Sequence, residues 1–363
     1  MSWSWTLSRY LARQFLVGVG VVYSAFLLLA FSIDIVGLLN HTQKTAVPTD
    51  VIIGMSLLQL PDLGLKLLPF AVLLGGVFSF VRLSRSEELV ATRAAGVSAW
   101  EFLAPPLVVA LVLGVVTVGA ITPLSSRLLG QYSALEAKYI RGQASQLALS
   151  PNGLWLRQGD AHQQQVIHAL RVSDQGVRLE DVIVFLYGPH DNFLGRIEAH
   201  TAKLEAGAWM MRDAWVSGPE GVPKWHESYS VSTTLTPTQI QESFASPDTL
   251  SFWDLPRFIA AAQQAGFSAL RYELYFYTLI ALPVLFAAMV FMAASFSLRL
   301  ARLGGMSRVI LYGALSGFGV YFFSNLTQAL GESGILPVAL AAAAPASAAI
   351  LIGMTLVFHQ EDG

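Results

Sequence analysis

No cysteine occurs in this chain. That excludes disulfides, thiolate zinc sites, iron–sulfur clusters and cysteine nucleophiles. Charge is scarce too: Asp, Glu, Lys and Arg make up 13% of the residues, against roughly 25% in a soluble domain. The formal net charge of −2 argues against a general nucleic-acid binder. Catalytic signatures are also missing. There is no G-x-x-x-x-G-K-[ST] phosphate loop, no H-E-x-x-H and no G-x-S-x-G. His162, His168, His190, His200 and His226 share one polar stretch, and none pairs at ligand spacing on a helix face. Solvated histidines are the better reading there than a metal site.

What the chain has in excess is apolar surface. Of 363 residues, 54% are hydrophobic, and the mean hydropathy is +0.55. A soluble domain is about 45–50% apolar, so the excess points to a bilayer. Six segments, roughly 15–39, 63–83, 102–122, 274–298, 307–330 and 335–358, are apolar over about 20 residues. That length crosses ~30 Å of hydrocarbon as a helix, the form that satisfies its own backbone groups there. Pro61, Pro69, Pro283 and Pro345 would bend or start helices rather than veto them. Arg9 and Arg13 before an apolar run imitate a signal peptide. The run from Phe15 to Leu39 is too long for one and lacks a small-residue cleavage pattern, so it reads as a retained first helix.

Basic residues set the orientation. Arg9 and Arg13 precede the first span, Arg82, Arg85 and Arg93 lie between the second and third, and Arg299, Arg302 and Arg308 between the fourth and fifth. Alternating spans put all of these on one side. Lys44 and Lys66 fall toward the other. Cytoplasmic termini and an outside segment 123–273 follow from that rule. In that segment polar residues, Gly and Pro return. Candidate strands are Gly153–Arg157, Gln165–Val172, Asp181–Tyr187, Gly195–Leu204, Ala208–Val216 and Trp225–Thr233, separated by turns such as Gly159-Asp160, Gly188-Pro189 and Gly218-Pro219. They suggest an antiparallel sandwich or jelly roll. Leu124–Leu147 reads as a helix continuing the third span. Ser251–Ala265 reads as another, with Ser251 as N-cap and Gly266 as its stop. The expected fold is therefore α-helical membrane protein with a β domain: residues 1–122 carry spans one to three, 123–273 a β-jellyroll-like domain with flanking helices, and 274–363 spans four to six.

The loop Arg82-Leu-Ser-Arg-Ser-Glu-Glu-Leu-Val-Ala-Thr-Arg-Ala-Ala-Gly-Val-Ser98 is the most informative stretch. Ser84 or Ser86 can cap a helix at about 84–97. Glu87 and Glu88 fall in its first turn, where the dipole favours them. Arg85 and Arg93 flank it, and Gly96 can end it. A short amphipathic helix between two spans has the shape of an ABC-transporter coupling helix, which docks on a cytoplasmic ATPase. An ordinary positive-inside loop with self-paired charges fits the same residues.

The run Leu68-Pro-Phe-Ala-Val-Leu-Leu-Gly75, followed by Ser86-Glu-Glu-Leu-Val-Ala-Thr-Arg-Ala-Ala-Gly-Val-Ser98, resembles the LptF/LptG permeases of lipopolysaccharide export. So do Arg9-Tyr10 before the first span, Phe102-Leu-Ala-Pro-Pro106, the Pro123 that would end the third span, Gly153-Leu-Trp155 and Leu235-Thr-Pro237. The Arg-Ala-Ala-Gly form and the Gly-Leu-Trp strand look nearer the LptG branch. The resemblance implies an ABC exporter of the inner membrane without catalysis of its own. This chain would pair with an LptF-like permease above an LptB-like ATPase dimer that binds ATP and Mg, beside an LptC-like bitopic protein with its own jellyroll. On the motif match, Glu88 is the carboxylate that meets a basic residue of the ATPase, with Glu87 as a possible substitute; Arg93 and Gly96 shape the same element.

The cargo would be lipopolysaccharide, which needs an apolar cavity with basic groups at its rim. Lys44 and Lys66 lie at about that level. Asp34, the clearest charge in the first span, sits where family members often have basic residues; it either pairs with a partner subunit or is hydrated near the interface. Gly313-x-x-x-Gly317 gives the fifth span a small-residue face, for a subunit interface or an intrachain contact. Tyr321, Phe322 and Phe323 line the cavity or face lipid and core. Two rivals remain: the permease of another ABC system, and a membrane-anchored scaffold or sensor without an ATPase partner.

Overall fold

Apolar runs of this length become helices because each backbone N–H finds its carbonyl partner inside the same segment. In the computed structural model all six do. It describes residues 5–361 apart from 43–46, 95, 137–138, 141–145, 151–152, 160–163, 174–176, 190–191, 206, 220, 234–245, 265–268 and 301–305. The helices are α1 (Trp5–Thr42), α2 (Thr49–Arg85), the short α3 (Glu88–Ala94), α4 (Ala99–Val116), α5 (Thr122–Glu136), α6 (Leu255–Gln264), α7 (Leu270–Leu300), α8 (Met306–Glu332) and α9 (Val338–Glu361). Among the described residues, six spans are long and apolar enough to cross a bilayer, with α4 and α5 together forming the third. The chain is a multi-pass membrane protein, three spans on either side of an inserted β domain. Pro61, Pro69, Pro105, Pro106, Pro283 and Pro345 all lie inside helices.

By contacts the chain divides into two units. One contains residues 1–140, 248–253 and 273–363, the other 141–247 and 254–272. In the first, α2 is the central post. Its buried Leu68, Val72, Leu73, Val77 and Phe80 join Phe15 and Val19 of α1, Phe102 and Leu103 of α4, and Phe286, Met289, Val290 and Ala293 of α7. Helix α1 crosses α2 with its backbone almost touching: a Cβ on Gly75 would stand 2.5 Å from Val19 Cα, and one on Gly18 2.6 Å from the Gly75 oxygen.

Three sequence expectations need correction here. Pro123 does not end the third span. A π-turn, Thr117–Ile121, precedes it, with the Thr122 N–H bonded to the Thr117 carbonyl, and the helix runs on to Glu136. Proline has no N–H for the Gly119 carbonyl four residues back; the Trp253 indole donates to that oxygen at 3.2 Å instead. Second, the helix does not reach Leu147. Gln146–Ser150 is strand β1, which pairs with β2 residue for residue from Gln146↔Arg157 to Ser150↔Gly153. Third, Ser251 is not an N-cap: a turn over Phe252–Asp254 intervenes, and α6 opens at Leu255 with the Phe258 N–H on the Asp254 carbonyl. Gly266 and Leu235-Thr-Pro237 lie outside the described residues.

Among the described residues the β domain is one seven-stranded antiparallel sheet, β1 (Gln146–Ser150), β2 (Gly153–Gly159), β3 (Gln164–Ser173), β4 (Arg178–Tyr187), β5 (Phe193–Glu205), β6 (Ala208–Ser217) and β7 (Lys224–Ser232). Each strand pairs with the next, so the connectivity is a plain meander. One face is buried, through Leu154, Leu156, Ile167, Ala169, Val182, Val184, Ile197, Ala199, Trp209 and Met211, joined by Phe258, Ile259 and Ala262 of α6. The alternation that buries one face slips by one residue in three neighbouring strands. Leu179 and Val182, Ala199 and Ala202, and Met211 and Ala214 are each three apart, and all six point inward. At the slips, Asp181 (φ 53) and Asp213 (φ 52) are left-handed, and the register puts both opposite His200. An extra residue at one level of adjacent strands bends a sheet without changing which face is apolar. Aspartate is among the few side chains that enter the left-handed region readily.

Candidate functional site

The loop between spans two and three is built by caps. Ser86 does not cap α3. It is the C-cap of α2, its backbone N–H on the Arg82 carbonyl at 3.0 Å and its hydroxyl on the carbonyls of Arg82 (3.2 Å) and Leu83 (3.3 Å). Glu87 follows with φ 57, which turns the chain sharply. Its carbonyl accepts from the Ala91 N–H at 2.9 Å and so starts α3. Gly96 (φ 82) ends α3, with the Val97 N–H reaching the Thr92 carbonyl at 3.3 Å, a Schellman closure. Ser98 then opens α4 with a full capping box: the Glu101 N–H donates to Ser98 Oγ, and the Ser98 N–H to Glu101 Oε2, both at 3.2 Å. The short helix thus spans Glu88–Ala94, narrower than the expected 84–97.

Five of the predicted site residues come together here. Arg85 is exposed in the last turn of α2 and Glu87 is exposed at the turn. Glu88 is half-buried and opens α3. Gly96 closes α3. Arg93 is on the same helix, but its side chain is not among those described. Sequence reasoning missed what holds the element: the Tyr10 hydroxyl, from α1, donates to Glu88 Oε2 at 2.8 Å. The Gln14 amide, one turn along α1, donates to the same hydroxyl at 3.2 Å. Tyr10 belonged to the family motif, but nothing in its neighbours signalled a partner 78 residues away.

The remaining candidates are scattered. Lys66 is not an open cation. Its Nζ lies 2.6 Å from Asp62 Oδ2 and 3.6 Å from Asp248 Oδ2. Asp62 is 4% exposed, so the pair keeps a buried carboxylate compensated. The Asp62–Lys66 spacing of four on one helix was legible in the sequence; Asp248 was not. Asp34 is half-buried on α1, and its Oδ2 is enclosed with no partner among the described residues. Lys44 lies outside the described residues. Gly313 and Gly317 of α8 face α2: a Cβ would meet Val77 and Leu74 in the first case and Leu73, at 2.8 Å, and Phe70 in the second. Their small-residue face is therefore occupied within this chain. Tyr321 packs on Phe70 with ring centres 5.8 Å apart, while Phe322 is 64% exposed.

The apolar faces left over are concentrated on two spans. In the most apolar 18-residue stretch of span one only 11% of residues are buried within the chain, and of span five 17%, against 61% for spans two and four. Leu28, Leu29 and Ile33 of α1, and Leu315, Phe318 and Phe322 of α8, stand outward.

A model of the family described as "Lipopolysaccharide export system permease LptF/LptG" matches residues 9–358. The lipopolysaccharide export system permease protein LptG of Haemophilus influenzae is 25% identical over 283 residues, 74% of each chain. LptG of Escherichia coli K12 is 24% identical over 366 residues, 98% of each chain.

Proposed function

Because the chain belongs to the LptF/LptG family of lipopolysaccharide export permeases, we propose that it is a transmembrane permease subunit of an ABC exporter, one that draws lipopolysaccharide from the inner membrane and passes it to a periplasmic bridge. The observation that carries this reading is α3, a helix of seven residues between spans two and three that opens at Glu88, directly after the exposed Glu87. A cytosolic ATPase would grip it there. The chain needs no cofactor of its own under this reading. ATP and Mg belong to an LptB-like ATPase dimer, and the remaining partners are an LptF-like permease and an LptC-like bitopic protein.

In the proposed cycle lipid enters laterally against the outward apolar faces of spans one and five. ATP binding closes the ATPases, α3 moves with them, and the cavity collapses, displacing lipid outward. Lys66 stands beside two carboxylates, Asp62 and Asp248, which weakens its attraction for a lipid phosphate. The termini and α3 are cytoplasmic and the β domain periplasmic, following the arginine distribution.

The test is co-purification. The chain, expressed in its native host and purified in detergent, should carry a soluble ATPase. Glu87→Ala combined with Glu88→Ala should lose that ATPase or lipid transport. Intact assembly and transport in the double variant would overturn the reading.

A further inference from the structure

After the sheet the chain does not pass straight to span four. By contacts, residues Asp248–Trp253 group with the spans, although the residues on either side of them group with the β domain. This strap is tied at both ends. At its far end the Phe252 ring lies nearly parallel to Phe276 of α7, with centres 5.2 Å apart, and the Trp253 indole donates to the Gly119 carbonyl of span three at 3.2 Å. At its near end the tie is a charge: Asp248 Oδ2 stands 3.6 Å from Lys66 Nζ of α2.

The two carboxylates at Lys66 are not equivalent. Asp62 lies one turn away on the same helix, buried and 2.6 Å from Nζ, so it is a permanent partner. Asp248 belongs to a separate segment and stands beyond hydrogen-bond reach. Its Oδ1 is enclosed with no partner among the described residues, which costs stability. The Asp248 end is therefore the tie that gives way.

Lys66 itself is within reach of a ligand, since its side chain is 62% exposed. With the strap down, an arriving anion meets one ammonium flanked by two carboxylates, a net negative site that repels it. With Asp248 gone, the charges balance and the exposed ammonium can turn to a phosphate. One turn along α2 the surface is aromatic, where Phe70 packs on Tyr321 of α8 at 5.8 Å. An anion with an apolar body, the phosphate of a lipid headgroup, fits that sequence of surfaces.

We propose that Asp248 is an internal competitor for Lys66, an autoinhibitory contact that a lipid phosphate displaces, freeing the near end of the strap while Phe252 and Trp253 keep the far end on spans three and four. This rests on the function proposed above and adds a regulation to it: cargo phosphate reaches Lys66 only in exchange for Asp248.

The experiment measures lipid affinity on the purified whole complex in detergent, with lipopolysaccharide, dephosphorylated lipopolysaccharide and phosphatidylglycerol as probes. Asp248→Asn should bind lipopolysaccharide about fivefold more tightly than wild type, as befits a removed competitor, and dephosphorylated lipopolysaccharide no better. In a background of Lys66→Gln with Asp62→Asn, which removes the lysine and its permanent partner together, Asp248→Asn should change nothing. Unaltered or weaker lipopolysaccharide and phosphatidylglycerol binding in Asp248→Asn, an equal gain for the dephosphorylated probe, or a gain that persists without Lys66 overturns the proposal. A Lys66-dependent gain for phosphatidylglycerol and none for lipopolysaccharide would keep the exchange at Asp248 and defeat the cargo named above.

Should Asp248→Asn fail to accumulate, the absence of cysteine in this chain supplies a second measurement. Thr249→Cys, half-buried beside Asp248, should react with a maleimide several-fold faster when lipopolysaccharide is added. An unchanged rate at saturating lipid overturns the proposal.

Discussion

A lysine near the end of a span can meet an anionic headgroup only while its charge is still on offer. Lys66 has given its charge away, to Asp62 at 2.6 Å and Asp248 at 3.6 Å. Removing it leaves Asp62 buried and uncompensated. Lys66→Ala should therefore cost on the order of 1–3 kcal/mol, less than a fully buried pair because much of the lysine is in solvent. Asp62→Asn in the same chain should restore most of it. Thermal unfolding in detergent checks this, and an unaltered midpoint in Lys66→Ala would show that the pair carries no stability. Gly75 is the second residue whose role is set by distance. A methyl group there meets Val19 backbone at 2.5 Å, so Gly75→Ala should separate α1 from α2 and cost about 1–3 kcal/mol as overpacking. The equivalent change at Gly20, which has open space around it, is the control and should be near neutral. Neither case could be read from residue type alone, because a lysine and a glycine carry no mark of what stands opposite them.

At the scale of elements, the spans and most strands were legible and their joints were not. Hydrophobic length alone located the six spans, and the sequence pattern located β2 through β7 to within three residues at each end. β1 was missed because its five residues continue an apolar helical pattern, and only pairing with β2 makes it a strand. The bend in the sheet was visible in principle. Leu179-Glu-Asp-Val182, Ala199-His-Thr-Ala202 and Met211-Arg-Asp-Ala214 repeat one apolar-polar-polar-apolar pattern in three successive strands, each a local failure of the two-residue period. The left-handed aspartates at two of these slips make a test. Asp213→Gly should be neutral or slightly stabilising, whereas Asp213→Val should cost roughly 1–2 kcal/mol, because a β-branched side chain clashes at φ 52. Equal unfolding midpoints for the two variants would mean that the backbone relaxes there. The caps around α3 follow the same logic. The Ser98-x-x-Glu101 box was legible and overlooked, and Ser98→Ala should cost about 1 kcal/mol.

For the whole molecule, the uneven burial of the spans matters most. Spans two and four are packed within the chain, while spans one and five present most of their surface outward. In a bilayer such surface meets lipid or another helix without penalty; under the proposed function, the exposed faces are where a partner subunit and a lipid cargo would compete. Orientation is the condition for all of it. Single cysteines introduced at Glu87 and at the exposed Glu198 should label from opposite sides of the membrane, and labelling from one side would sink the proposed transport cycle. The sequence by itself determined that this chain has six segments long and apolar enough to cross a membrane, carries a β domain between the third and fourth of them, and belongs with the LptF/LptG permeases, because hydrophobic length, period and motif are local properties. Only the tertiary structure decided that Glu88 is held by Tyr10, that Lys66 is neutralised, that Gly313 and Gly317 face α2, and that Trp253 serves the carbonyl Pro123 leaves open. Those are meetings between residues far apart in the chain, and no local pattern encodes the partner.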